Sequence, residues 1–332
     1  MSVLERNRYL LAQPFSKNVE TYVCPISKSK NEVSDGLKIA GGWRFFNELR
    51  VIQKKENVFS ESIMTPLKLI EEAKNESKEA LQEAENVIES ITNKRLSFSN
   101  LNMSQPHVMG IINSTPDSFY KKSRSTNSSF AIKKSNQMIS DGASIIDIGG
   151  ESSRPGAKKI SIEEEMQRVI PSIIDFKKNN LVTQISLDTR NLPTMKLGLE
   201  SGVDIINDIS GFADHNKIKF VSKFNLPVIV MHMQNEPNNM QIEPKYSFAP
   251  IDIYKILSKR VNLLIQMGVN KSNIVVDPGI GFGKNIYHNL EILRNVSLFH
   301  SLGVPILIGL SRKNFINEVV VKGYKYEGIT KR

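Results

Sequence analysis

The sequence predicts an α/β fold in which parallel strands alternate with helices and curve toward a barrel. Short, β-branched apolar runs recur along its second two-thirds, and helical stretches of roughly 10–15 residues separate most of them. These runs are apolar on both faces, which is typical of strands in a sheet covered on both sides. The runs lie at 108–112, 144–148, 184–187, 204–206, 227–231, 273–276 and 305–308. Seven such segments fall one short of a closed eight-stranded barrel.

Composition narrows the class of protein. The chain has 332 residues and a net charge of +10, with its cations scattered rather than clustered, which favours a solvated surface over a nucleic-acid site. Its one cysteine, Cys24, excludes an intrachain disulfide and indicates a reducing, cytoplasmic compartment. No apolar stretch approaches the ~18 residues of a spanning helix, and the first residues do not form a signal peptide.

Residues 1–100 are predicted to be an N-terminal extension of unknown role. Their clearest element is a long helix at about 65–94, with Thr65 as N-cap and Pro66 in the first turn. Apolar residues recur in it at three- and four-residue spacing, and most of them are alanine. Because a stripe this weak is poor material for a coiled coil, we expect it to pack on its own protein.

Two polar motifs follow the first two strand segments. The first, MGIINSTPDSF at 109–119, ends its strand at Asn113; locally, Asn113 could be no more than a turn former. The second, DIGGESSRPGA at 147–157, has glycines that let a ligand approach the backbone. It also offers the hydroxyl of Ser153 and the guanidinium of Arg154 to phosphate oxygens. The plainer interpretation is a Gly-rich turn with a surface arginine.

Three further strand segments end in a carboxylate or an amide, at Asp188, Asn207 and Asp277. Each alone is more often a helix N-cap than a ligand. The carboxyl ends of parallel strands meet at one edge, however, so three such groups could together bind the hydrogen-bonding edge of a flat heterocycle.

The last two motifs are DPGIGFGK at 277–284 and GLSRKNF at 309–315. The first is not a phosphate-binding loop, because its glycine spacing is short and Asn285 replaces the serine or threonine. His232 directly follows the fifth strand segment, at 227–231. It is interpreted either as a buried core histidine or as a catalytic group.

Together these segments resemble the dihydropteroate synthases over roughly residues 100–316. The resemblance implies a TIM (β/α)8-type barrel with about seven family strands, formed by 101–332 and incomplete at its C-terminal end. It also implies a transferase of folate biosynthesis, a sulfonamide target, that joins 6-hydroxymethyl-7,8-dihydropterin diphosphate to p-aminobenzoate and releases diphosphate. Mg²⁺ is the implied cofactor.

The resemblance also assigns residues. Asn113 would hold Mg²⁺ and, with Arg154 and Lys313, serve catalysis. The pterin would contact Asp188, Asn207, Met231, Asp277 and Lys313. Diphosphate would contact Ser153 and Arg154, and p-aminobenzoate would contact Phe119, Pro155, Phe282 and Asn314. Partners are then small molecules, with neither nucleic acid nor membrane, and a possible homodimer.

The chain departs from the family pattern in three places and lacks one element. Tyr120 to Ser123 replace the usual Ser-Asp-Gly-Gly, Ser153 replaces threonine, and Asn314 replaces serine. An eighth strand ending in Arg-x-His is expected and not found, so the barrel is interpreted as truncated. A strand at Leu49 to Val51, which carries Arg50, is one conceivable substitute.

Two other functions stay open at this point. One is an inactive pterin-binding remnant, or a scaffold, that lacks the eighth-strand arginine and histidine. The other is a pterin-dependent methyltransferase domain, which shares the strand-end Asp and Asn groups but not the TPDSF segment.

Overall fold

The computed structural model describes residues 6–7, 10–26, 29, 31–32, 35–56, 58–114, 124–152, 156–179, 181 and 183–322. Within these ranges the chain forms a small N-terminal sheet with two helices, followed by a larger α/β unit.

The α/β unit is built on six parallel strands that lie side by side in chain order. They are β7 (Val108–Asn113), β8 (Ala143–Gly149), β9 (Gln184–Asp188), β10 (Ile205–Asp208), β11 (Val228–Met231) and β12 (Ile274–Asp277). The helices are α3 (Arg124–Ser140), α4 (Ile162–Lys178), α5 (Leu192–Glu200), α6 (His215–Lys223), α7 (Ala249–Gln266), α8 (Ile286–Arg294) and α9 (Asn314–Lys322). Short 3-10 helices span Lys271–Asn273 and Val296–Leu302.

The seventh predicted segment continues the same parallel arrangement. The Val276 amide donates to the carbonyl of Pro305 at 3.0 Å, and the Leu307 amide donates to the carbonyl of Val276 at 2.8 Å. Val276 thus forms a parallel bridge with Ile306. The prediction of an α/β fold with seven aligned strand segments is confirmed.

The two faces of this sheet are buried in different ways. Alternate residues such as Ile146, Val228 and Val276 pack against the helices in the main core. Their neighbours on the other face form an inner cluster that includes Ile145 and Ile229. This alternation follows from the two-residue period of a strand and gives an outer helical layer and an apolar interior.

A turn at residues 98–101 fills the amino-terminal end of that interior. Phe98 and Leu101 exchange two backbone hydrogen bonds, and Phe98 is buried in the inner cluster. The hydroxyl of Ser99 donates at 2.5 Å to Gln184, the first residue of β9. Because this end is plugged, polar groups at the opposite, carboxyl end of the strands form the accessible mouth.

Strand β7 is the edge of the six-stranded sheet in the described part of the chain. Val108 on it is 60% exposed, and Ile111, on the interior face, is 48% exposed. The apolar interior is therefore open to solvent along this edge.

The N-terminal unit contains a sheet that the sequence did not predict. Its strands are β1 (Arg6–Asn7), β2 (Glu20–Ile26), β5 (Glu48–Lys55) and β6 (Val58–Met64), with a hairpin of β3 (Leu37–Lys38) and β4 (Phe45–Phe46) beside it. Ile52 and Phe59 of this sheet pack against Phe248 and Ile251 at the start of α7 and against Leu298. The N-terminal sheet thus covers the outside of the α/β unit.

The suggestion that the strand carrying Arg50 supplies an eighth barrel strand is wrong. Arg50 lies in β5, which pairs with β2 and β6 in the separate N-terminal sheet. Its guanidinium donates to the side-chain oxygen of Asn295 at 2.9 Å, outside the parallel strands.

The long helix expected at 65–94 is two helices, α1 (Pro66–Glu76) and α2 (Lys78–Thr92). Ser77 between them has extended backbone angles, and its hydroxyl accepts from the Ala80 amide at 3.0 Å as the N-cap of α2. Serine is a favoured N-cap residue, because its side-chain oxygen accepts a hydrogen bond from a first-turn amide that has no partner within the helix. The alanine stripe packs on its own protein, as expected.

Candidate functional site

The carboxyl ends of four adjacent strands bring four of the key positions into one row. In the strand register, Asn113 aligns with Gly149, Gly149 with Asp188, and Asp188 with Asn207. Residues that are paired across a sheet project from the same face, so Asn113, Asp188 and Asn207 all project toward the interior side. We refer to Asn113, Asp147, Asp188 and Asn207 together as the acidic cluster.

Gly149 leaves a gap in the middle of this row. A Cβ atom at this position would lie 3.3 Å from Oδ2 of Asp188 and 3.8 Å from Oδ1 of Asn113. The two oxygens therefore border the same space, which any side chain at 149 would occupy. Asn113 is exposed, so this space opens to solvent.

Asp147 lies one step deeper in the acidic cluster, two residues before Gly149 on the same strand. It is 3% exposed, and its Oδ2 accepts a hydrogen bond from Nδ2 of Asn207 at 3.2 Å. Burial raises the pKa of Asp147 to about 6, although the nearby hydroxyl of Ser186 and the hydrogen bond from Asn207 oppose the shift. Sequence reasoning assigned it no role, yet its position on the same face as Gly149 could have indicated one.

The pKa of Asp188 is raised well above its ordinary value. Burial is the main cause, and the neighbouring carboxylates of Asp147, Glu165 and Asp208 raise it further. A carboxyl group in this setting gains most from a ligand that brings N–H donors or positive charge.

A second group, the basic cluster, lies at the ends of β11 and β12. It consists of His232, Asp277, Phe282, Lys284 and Lys313. Asp277 is 8% exposed, and its Oδ1 accepts from the Gly279 amide at 2.6 Å. Burial raises its pKa to about 6, against the Gly279 hydrogen bond and the charges of Lys284 and Lys313.

Lys313 lies over an aromatic ring. Its Nζ is 4.1 Å from the ring centroid of Phe282, a cation–π distance. Burial lowers the pKa of Lys313, while Asp277 opposes that shift. The pair forms a wall that combines a flat apolar face with a hydrogen-bond donor.

Lys284 is a buried cation that sequence reasoning did not assign. It is 3% exposed, and its Nζ lies 3.1 Å from Nδ1 of His232 and 2.7 Å from the carbonyl oxygen of Phe282. Burial lowers its pKa to about 7, with Asp277 opposing and Lys313 adding to the shift. The pKa of His232 is lowered well below its ordinary value by burial and by Lys284, so its imidazole is neutral at pH 7.

The remaining predicted residues divide into two groups. Met231 is 5% exposed and aligns with Asp277 across the sheet, so it lies beside the basic cluster. Asn314 is exposed at the first position of α9. Ser153, Arg154, Pro155 and Phe119 lie outside the described residues.

Arg190 joins the loop after β8, which carries the 153–155 segment, to the loop after β11. Its guanidinium donates to Glu151 at 3.0 and 3.1 Å and to Glu236 at 3.2 Å. Close by, the Gly156 amide donates to the carbonyl of Pro237 at 3.1 Å. These contacts place the flanks of the predicted diphosphate segment at the mouth, next to the acidic cluster.

Among the described residues, no group of three or more His, Cys, Asp or Glu side chains is arranged to hold a metal ion. Within the same part of the chain, no helix has the length and apolar character needed to cross a membrane.

Comparison with known proteins agrees with the geometry. Residues 109–331 match the family described as pterin binding enzyme. The dihydropteroate synthase of Escherichia coli (strain K12) is 39% identical over 225 residues, which are 68% of this chain and 79% of the relative. That of Haemophilus influenzae is 40% identical over 222 residues, covering 67% and 80% of the two chains.

Solved structures give the same result. The Yersinia pestis dihydropteroate synthase in complex with a sulfonamide drug is 37% identical, with a TM-score of 0.62 over 67% of this chain and 80% of that one. Two Xanthomonas albilineans dihydropteroate synthase structures cover 67% of this chain and 79% of theirs. The one with 4-aminobenzoic acid has a TM-score of 0.62 at 34% identity, and the one with 7,8-dihydropteroate has 0.59 at 32%.

Proposed function

The chain belongs to the pterin-binding enzyme family, and from that premise we propose that it is a dihydropteroate synthase. It condenses 6-hydroxymethyl-7,8-dihydropterin diphosphate with p-aminobenzoate to give 7,8-dihydropteroate and diphosphate. The observation that carries the assignment is the row of acceptors at the mouth: the half-buried Asp188 and the buried Asn207 in the acidic cluster, and the buried Asp277 in the basic cluster. An inactive remnant and a methyltransferase are less favoured, because the similar curated proteins carry the name dihydropteroate synthase.

The pterin ring is proposed to bind between the two clusters. Asp188, Asn207 and Asp277 accept hydrogen bonds from its N–H groups, and Lys313 donates to its carbonyl oxygen. Met231 packs against the ring. Buried acceptors discriminate strongly, because a ring that lacks the matching donors leaves them unpaired.

The two other ligands flank the pterin. Ser153 and Arg154 bind the diphosphate, since a hydroxyl and a guanidinium fork match its oxygens. Phe282, Phe119, Pro155 and Asn314 border p-aminobenzoate, with the Phe282 ring held under Lys313. Sulfonamides, which resemble p-aminobenzoate, are proposed to compete for this side of the site.

In the reaction the bond between the pterin methylene and the diphosphate oxygen breaks, and the amine nitrogen of p-aminobenzoate bonds to the methylene and loses a proton. The residues of this chain act by position and charge, without a covalent intermediate. Arg154 stabilises the charge that develops on the leaving diphosphate, while the carboxylates that hold the ring stabilise positive charge on the pterin.

The residues present fit the proposed cofactor, Mg²⁺. The ion prefers oxygen ligands and commonly binds one or two protein groups together with substrate phosphates. Oδ1 of Asn113 borders the gap over Gly149 and is exposed to the mouth, so it is the proposed protein ligand. When bound, Mg²⁺ would neutralise charge on the diphosphate. Location in the cytoplasm and a homodimer stay predictions.

Turnover by the purified protein tests the proposed function. We expect release of diphosphate that requires both substrates, with 7,8-dihydropteroate as the product. Lys313→Met should lower kcat/KM by roughly two orders of magnitude, because a half-buried donor to the pterin and a contact at the Phe282 ring are lost together. The matched control is Lys196→Met on the exposed side of α5. Equal rates for the wild type and Lys313→Met would overturn the assignment.

A further inference from the structure

The side-chain amide of Asn207 can offer a ligand either its oxygen or its nitrogen. The two ends differ in hydrogen bonding, since the oxygen accepts and the NH2 group donates, and which end faces a ligand is fixed by the other partners of the amide. Asn207 is 7% exposed at the end of β10, so few partners compete for it. Within the described residues the partner of its Nδ2 is Oδ2 of Asp147.

Asp147 lies deeper in the acidic cluster than Asn207. In the strand register, Asp147 aligns with Ser186, whereas Asn207 aligns with Asp188, two residues closer to the mouth. A carboxylate has acceptors and no donor, so it draws the NH2 end of the amide downward. The two ends of an amide diverge, and the carbonyl oxygen of Asn207 is left facing the mouth.

We propose that Asp147 is a positioning residue that fixes the amide of Asn207 so that Oδ1, and not Nδ2, faces the pterin. This inference rests on the proposed function. Oδ1 of Asn207, together with the carboxylates of Asp188 and Asp277, then gives the mouth three oxygen acceptors. These acceptors select a ring edge that is rich in N–H donors. The pKa of Asp147, about 6, keeps it ionised at neutral pH, where it cannot donate to the amide oxygen.

Reversing the pair provides a sharp test. In Asp147→Leu the acceptor is gone and the Asn207 amide is free to rotate, so we expect 6-hydroxymethyl-7,8-dihydropterin diphosphate to bind about tenfold more weakly by calorimetry. In the double variant Asp147→Asn with Asn207→Asp, the new amide donates upward, and one oxygen of the new carboxylate still faces the ligand. This reversed pair should bind within about threefold of the wild type.

Ser172→Ala provides the matched control, because Ser172 is a buried serine in α4, part of the outer helical layer; this variant should bind the pterin like the wild type. Thermal denaturation of each variant separates lost binding from lost folding. Wild-type affinity in Asp147→Leu, or a reversed pair as weak as Asp147→Leu, would overturn the proposal.

A nuclear magnetic resonance measurement tests the orientation without any ligand. The side-chain NH2 signals of Asn207, identified by their loss in Asn207→Asp, should be protected from exchange in the wild type and unprotected in Asp147→Leu. Rapid exchange in the wild type would overturn the inference by itself. Protected signals in a protein that does not bind the pterin would instead leave the orientation standing and remove the proposed function.

Discussion

The ammonium group of Lys284 lies 3.1 Å from Nδ1 of His232, and both side chains are buried. The same ammonium donates to the carbonyl oxygens of His232 and Phe282, so it joins the loop after β11 to the loop after β12. A neutral imidazole with its proton on Nε2 accepts at Nδ1, which is consistent with the lowered pKa of His232. Lys284 therefore holds in place the segment that presents Phe282 and Asp277.

We expect Lys284→Met to raise the KM for the pterin substrate by about tenfold or more, because three acceptors lose their donor and the loop with Phe282 loses its anchor. The change in kcat should be smaller, since Lys284 is placed to hold the site and not to contact the reacting atoms. Steady-state kinetics measure both, with Lys196→Met as control. An unchanged KM in a folded variant would contradict this role.

Pterin affinity should fall as the pH drops below about 6. The pKa of Asp277 is raised to about 6 by burial, so below this pH the group is protonated and loses an acceptor for the ring. The dissociation constant should rise up to tenfold per pH unit below that point, which calorimetry between pH 5 and 8 can follow. In Asp277→Asn the pterin affinity should depend less on pH. A wild-type affinity that stays constant across this range would disprove the dependence of pterin binding on the ionisation of Asp277.

The positions of Asp188, Asn207 and Asp277 could be predicted from the sequence because each ends an apolar run, and parallel strands end at a common edge. The roles of Asp147 and Lys284 could not, because they depend on partners that are distant in sequence: Asn207 in β10 in one case and His232 just after β11 in the other. Local patterns carry no information on such pairings.

The N-terminal sheet was missed for a related reason. Its strand β1 and the strands β3 and β4 of the hairpin beside it have two residues each, too few to show a two-residue period. The break at Ser77 could have been predicted, since serine is a favoured N-cap, but the apolar stripe runs past it without a gap.

Replacing Asp277 with asparagine should stabilise the protein at pH 8 while it weakens pterin binding. The pKa of Asp277 rises from an ordinary 3.8 to about 6 on folding, so its contribution to stability is present below the lower value and lost as the pH rises through the higher one. At pH 8 the buried charge costs at most about 3 kcal/mol, a figure that already includes its attraction to Lys284 and Lys313.

Chemical denaturation at two pH values measures this effect. The difference between Asp277→Asn and the wild type should be largest at pH 8 and should shrink toward pH 4.5, where the wild-type group is also neutral. Asp141→Asn, on the surface after α3, is the control and should show no such pH dependence. Destabilisation by Asp277→Asn at pH 8 would mean that its ion pairing outweighs its burial.

Asn113 should set the Mg²⁺ requirement of the reaction. Its Oδ1 and Oδ2 of Asp188 border the gap over Gly149, and amide and carboxylate oxygens are ligands that this ion accepts. Asn113→Ala should therefore raise the Mg²⁺ concentration for half-maximal rate by roughly tenfold, whereas Asn113→Asp, which keeps an oxygen in place, should leave it the same or lower. Titration of the rate with Mg²⁺ at saturating substrates distinguishes the two. If alanine and aspartate gave the same half-maximal concentration as the wild type, the oxygen at 113 would have no part in holding the ion, and the gap over Gly149 would have to be explained by the approach of the substrate alone.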